Sequence, residues 1–91
     1  MRERDIEQKL VAEVKARGGI CPKMTGFAGI PDRLVLLPEG KAGFVEVKAP
    51  GEVPRPLQLS RHNLLRRLGY KVFVLDRKNQ IEDVLKDIEG G

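Results

Sequence analysis

GIPDRLVLLPEGKAGFVEVKAP, residues 29–50, is the segment that organises the reading of the chain. It holds two runs of strand length, RLVLL at 33–37 and FVEVK at 44–48, joined by PEGKAG at 38–43, whose Pro and Gly suit a hairpin loop. Side chains alternate along a strand, so Phe44, Glu46 and Lys48 share one face while Val45 and Val47 share the other. Two charges therefore stand beside a phenylalanine in an otherwise apolar run. A solvated hairpin face or a Glu46–Lys48 ion pair would account for them, were it not for Asp32 at the mouth of the first strand. Antiparallel pairing through a short loop can bring Asp32 next to Glu46, fourteen positions later.

Outward from the hairpin, the N-terminal segment Asp5 to Arg17 has apolar residues at 6, 10, 11 and 14, the spacing of one helical face, and Gly18-Gly19 ends it. A short strand is expected at residues 20–24. GEVPRP at 51–56 is a proline-rich connection that starts a helix at Pro56, and Gly69 stops it. YKVFVLD at 70–76 reads as a strand and NQIEDVLKDIE at 79–89 as a final helix capped by Asn79. The order α-β-β-β-α-β-α, with the 56–68 helix as a crossover to a neighbouring strand, predicts an α/β sandwich: a mixed β-sheet flanked by helices.

Composition bounds the setting. Ninety-one residues, 41% hydrophobic and 33% charged, suit one small folded domain over residues 1–91. The single cysteine, Cys21, excludes an internal disulfide and is read as packed, and a reducing cytoplasmic compartment follows. No apolar run approaches the roughly 18 residues of a membrane span, so no membrane partner is expected. Seventeen Lys and Arg against thirteen Asp and Glu give +4, a bias that favours a polyanion such as DNA. With one histidine, His62, a zinc site has no donors, and His62 reads as a surface residue or a phosphate contact. No phosphate-binding glycine loop and no histidine-based triad is present.

Adjacent carboxylates at Asp32 and Glu46 repel unless a cation or a shared proton relieves them. Their hard oxygens suit Mg²⁺, which keeps several waters and so leaves room for a phosphate oxygen and an attacking water. Lys48, on the same face, could position that water or offset charge developing on the phosphate. Glu7 falls inside the buried arc of the first helix and needs a partner. On the 56–68 helix, Leu57, Leu64, Leu65 and Leu68 mark the core side, with Gln58 flanking it and Arg61 within it. A buried Glu7–Arg61 ion pair is one account of these residues; a site shared with the strand carboxylates is the other. Glu3 lies on the same arc as Glu7 but at a helix end, where it can reach water.

Gly29-Ile30-Pro31-Asp32-Arg33, then Glu46-Val47-Lys48, then Gln58 with Leu65 and Gly69 behind it, resemble the VRR-NUC family of the PD-(D/E)XK nuclease superfamily, over nearly the whole chain. The resemblance implies a restriction-endonuclease-like fold and Mg²⁺- or Mn²⁺-dependent hydrolysis of DNA phosphodiesters. It further implies that Asp32, Glu46 and the Val47 carbonyl hold metal, that Lys48 is the catalytic lysine, and that Glu7, also assigned to the metal, and Gln58 complete the site. Where many relatives carry an aromatic three residues after the glutamine, this chain has Arg61. Compact stand-alone members are similar to homodimeric Holliday-junction resolvases, which sets the expectation of a homodimer acting on branched DNA. A flap or nicking endonuclease and a non-catalytic DNA-binding module on the same fold are the alternatives. Arg33, Arg55, Arg61, Arg66, Arg67 and Lys71, most of them around the crossover helix, are the candidate DNA contacts.

Overall fold

A computed structural model describes all residues from Met1 to Gly91. Helix α1 spans Glu3–Ala16, strands β1 and β2 span Arg33–Leu37 and Lys41–Val47, helix α2 spans Pro56–Arg67, strand β3 spans Val72–Leu75, and helix α3 spans Ile81–Gly90. The three strands form one mixed sheet in the order β1-β2-β3: β1 and β2 are an antiparallel hairpin, and β2 and β3 run parallel through the α2 crossover. The expected α/β architecture is present, with one strand fewer. Residues 20–24 do lie along the outer edge of β1, through the bridges Ile20–Leu36 and Lys23–Arg33. They do not make a continuous strand, because Pro22 at the centre has no N–H to donate to the ladder and offers only its carbonyl, to Leu34 N–H at 3.0 Å.

Both faces of the sheet are covered, but unequally. Helices α1 and α3 pack side by side on one face. Ile6, Leu10 and Val14 of α1 and Ile81, Leu85 and Ile88 of α3 meet Val35, Val45, Val47 and Leu75 in a single core. That is the face to which strand alternation assigns Val45 and Val47. The close approach of α3 depends on Gly43, where an added Cβ would stand 2.9 Å from two side-chain carbons of Ile88. Helix α2 lies on the other face, against β3. Its only fully buried residue is His62, while Leu57, Leu59 and Leu68 are about half exposed or more.

The C-terminal helix starts at Ile81 and not at the expected Asn79 cap. Its lead-in is held by Gln80, whose Oε1 accepts the Asp76 and Arg77 N–H groups at 2.9 and 3.1 Å. Asn79 is exposed in the preceding turn. No helix is long and apolar enough to cross a membrane.

Candidate active site

The hairpin register decides where the carboxylates meet. Arg33 pairs with Val45, and extending that register by one position sets Asp32 opposite Glu46. Asp32 does not continue the ladder with its backbone; its Oδ2 accepts the Val47 N–H at 2.9 Å. The Val47 carbonyl points to the same edge of β2, beyond the last β1 pair, so no strand stands opposite it.

Glu46 is 1% exposed, on the face of β2 turned towards α2. Three side chains converge on its carboxylate. Gln58 Nε2 donates to Oε2 at 3.2 Å, Lys48 Nζ stands 3.7 Å from the same oxygen, and His62 Nε2 is 3.3 Å from Oε1. Burial pushes the Glu46 pKa from 4.5 to about 8, and the neighbouring Asp32 carboxylate adds to the shift, against the opposing charge of Lys48. Lys48 is itself buried. Its ammonium therefore stands beside a buried acid, where it can offset negative charge brought to the site.

Gln58 is the third residue of α2 and does two jobs with one amide. Its Oε1 accepts the Arg55 N–H at 2.8 Å, satisfying one of the free donors at the helix start, and its NH₂ reaches Glu46. A glutamate there would cap the helix equally well but bring a third carboxylate to the pair.

Several residues read from sequence are placed elsewhere. Glu7 forms a 2.8 Å ion pair with Arg33 Nε, and Arg33 also donates to the Cys21 carbonyl at 2.9 Å. Arg33 is thus committed inside the fold, and Glu7 neutralises it in place of Arg61. The α1 carboxylate that feels the site is Glu3, one turn earlier: burial first and then Asp32 raise its pKa, and Lys48 opposes them. Its i, i+4 relation to Glu7 was the available signal.

His62 is fully buried, not a surface residue. The helical wheel phased on Leu57, Leu64, Leu65 and Leu68 turned it outward, but Leu57 and Leu68 are about half exposed or more and the inward face follows Gln58, His62 and Leu65.

Among the other basic candidates, Arg61 stacks on the Phe27 ring at 4.4 Å and donates to the Ala28 carbonyl at 3.0 Å. It clamps the loop leading into Asp32, where Gly29, at φ +81°, leaves no room for a Cβ against Leu57 and Arg61. Arg66 donates to the Val72 carbonyl and Lys71 pairs with Asp87 at 2.6 Å. Arg55 and Arg67 are exposed and have no ion-pair partner.

Nowhere do three or more His, Cys, Asp or Glu side chains come together in a metal-binding group. Two carboxylates and one unpaired carbonyl are instead a set that suits Mg²⁺ or Mn²⁺. Such ions take oxygen ligands from one or two carboxylates and fill the remaining positions with water and substrate phosphate. A cation would also relieve the Asp32–Glu46 repulsion.

No family model matches the chain. It is 53% identical over 81 residues to "Putative nuclease p44" of Acyrthosiphon pisum secondary endosymbiont phage 1, covering 87% of each chain. Its structure superposes on a solved structure described as a VRR_NUC domain with a TM-score of 0.86 and 31% identity, covering 94% of this chain and 97% of that one.

Proposed function

The chain belongs to the VRR-NUC family of nucleases, and on that premise we propose that it hydrolyses phosphodiester bonds in DNA with Mg²⁺ or Mn²⁺. The observation that carries the cation is the buried Glu46 carboxylate set opposite Asp32, beside an unpaired backbone carbonyl and within 3.7 Å of a buried lysine. Asp32, Glu46 and the Val47 carbonyl would hold the ion. When bound it would supply Lewis-acid stabilisation of a phosphate oxygen and lower the pKa of water. The rest is the work of the chain. Val47 N–H fixes the Asp32 rotamer, Gln58 orients Glu46, and Lys48 offers its ammonium to the water or to the charge that grows on the phosphate in the transition state. Glu3, at the rim, feels the charges of Asp32 and Lys48 and would serve as an outer carboxylate of the site.

The second half of the proposal is that the enzyme works as a homodimer on four-way junctions. Its longest dimension, 33 Å, is about one helical turn of DNA, roughly 34–36 Å, so one copy can engage one arm. Two copies on a two-fold axis match the symmetry of the junction. A second copy would also cover the half of the sheet that α2 leaves bare, a hollow lined by Leu34, Leu36, Ala42, Gly43, Phe44 and Tyr70. The test is cleavage of labelled linear, nicked, flapped and four-way DNA with Mg²⁺, Mn²⁺ or chelator. Paired, symmetry-related cuts in the junction that need the metal are the expected result. Metal-dependent cutting of flaps or nicks with no junction preference would leave the nuclease and remove the resolvase. Binding without cutting would leave only a DNA-binding module.

A further inference from the structure

His62 is the one fully buried polar side chain to which neither the fold nor the chemistry above gives a task. It lies one turn beyond Gln58 on α2, so the two side chains stand on the same face of the helix and reach the same carboxylate from it. Gln58 takes Oε2 and His62 Nε2 takes Oε1, at 3.2 and 3.3 Å. Its other ring nitrogen, Nδ1, is buried with no hydrogen-bond partner at all.

That orphan atom sets the tautomer. A buried N–H without an acceptor forfeits the full cost of its desolvation, about 1–3 kcal/mol, whereas a neutral imidazole can leave Nδ1 as a bare lone pair and put its single proton on Nε2. The proton therefore sits on the nitrogen that faces Glu46.

We propose that His62 is a positioning residue for Glu46: as an Nε2–H donor paired with Gln58, it clamps both oxygens of the carboxylate from the α2 side and leaves their outward lone pairs for the divalent cation. The inference rests on the metal-dependent reading of the site. Hydrogen-bond partners of this kind orient metal-binding carboxylates, and their loss commonly lowers affinity by about 10–100-fold.

Two amide substitutions separate the role from mere packing. In His62→Gln the side-chain nitrogen falls where Nε2 stands and can still reach Glu46. In His62→Asn it falls where Nδ1 stands and cannot. Both are polar, smaller than the imidazole and subject to the same folding check by thermal unfolding. Mn²⁺ binding is read without DNA from the electron paramagnetic resonance signal of the free ion. The expected result is that His62→Gln binds Mn²⁺ within a few-fold of the unmodified protein, while His62→Asn binds about 10–100-fold more weakly. In cleavage assays, added Mn²⁺ should then restore His62→Asn to near-normal turnover at saturation. Equal Mn²⁺ affinity in His62→Asn and the unmodified protein overturns the proposal. So does equal loss in both folded variants, which would make the imidazole a packing element. If the unmodified protein binds no Mn²⁺, the metal reading fails first and the role of His62 falls with it.

Discussion

Replacing Glu46 by glutamine should make the metal-free protein more stable at neutral and alkaline pH while destroying its activity. The size of the effect follows from burial. In the folded chain the Glu46 pKa rises from 4.5 to about 8, and each unit corresponds to about 1.4 kcal/mol. The shift sets a ceiling of about 5 kcal/mol on the cost of ionising Glu46 without metal, and local relaxation around the anion reduces it to a few kcal/mol. A raised pKa means that the folded state binds more protons, so this contribution is fully present below 4.5 and is lost as pH rises through about 8. His62 acts in the opposite sense, because its lowered pKa adds stability as pH rises, but it is common to both proteins and largely cancels in the comparison. The assay is urea unfolding in chelator at about pH 5, 6.5 and 8. The unmodified protein should lose a few kcal/mol across that range relative to Glu46→Gln, equivalent to a difference of about 4–8 °C in Tm per kcal/mol. Adding Mg²⁺ at the high-pH end should recover stability in the unmodified protein alone, by mass action on the folded state. Parallel pH profiles for the two proteins would refute the idea that an unrelieved buried carboxylate pair sits at this site.

Lys48→Ala should lower turnover by about two or more powers of ten, in the range seen when a stabilising donor is removed, while Mn²⁺ affinity changes little. Loss of metal binding with unchanged turnover per bound metal would instead make Lys48 a structural counter-ion. DNA affinity should fall steeply with salt, and Arg55→Ala and Arg67→Ala should each reduce the logarithmic slope by about one, whereas Lys71→Ala, whose ammonium is held by Asp87, should not. Equal effects at all three positions would show that the ion pair does not survive contact with DNA. A mixed dimer of one intact and one Glu46→Gln subunit should bind a four-way junction normally but nick only one strand of each symmetric pair. Sedimentation as a monomer at concentrations that still give paired cuts would exclude the two-fold arrangement.

The hairpin and its chemistry were legible because both obey a period of two. Alternation in FVEVK separates Glu46 and Lys48 from the core-facing valines, and the loop length alone brings Asp32 opposite Glu46. Helix α2 was not legible in the same way. Its leucines suggest a conventional apolar face, yet Leu57, Leu59 and Leu68 stay about half exposed or more, and the residues turned inward are an amide and an imidazole whose partner is a carboxylate on another element. A helix that packs on a polar site cannot be phased by hydrophobicity. The same limit applies to Arg33 and Glu7: each looks free in sequence, and only the approach of α1 to β1 makes them partners. Glu3 was set aside as a helix end, but the end of α1 is the part that reaches the site.

The crossover has a consequence for the order in which the enzyme matures. The β1–β2 hairpin closes through a three-residue turn, so Asp32, Glu46 and Lys48 can assemble from local contacts alone. The Gln58 and His62 side chains join them only when α2 docks, and α2 is held down by the parallel pairing of Phe44 with Val72, a non-local contact that must first overcome the entropy of closing the intervening loop. During synthesis the acidic pair therefore exists before its clamp. A nascent chain halted before β3 would carry Asp32, Glu46 and Lys48 with the Glu46 carboxylate unclamped, and hydrolytic competence would appear only once residues beyond Leu75 had cleared the ribosome.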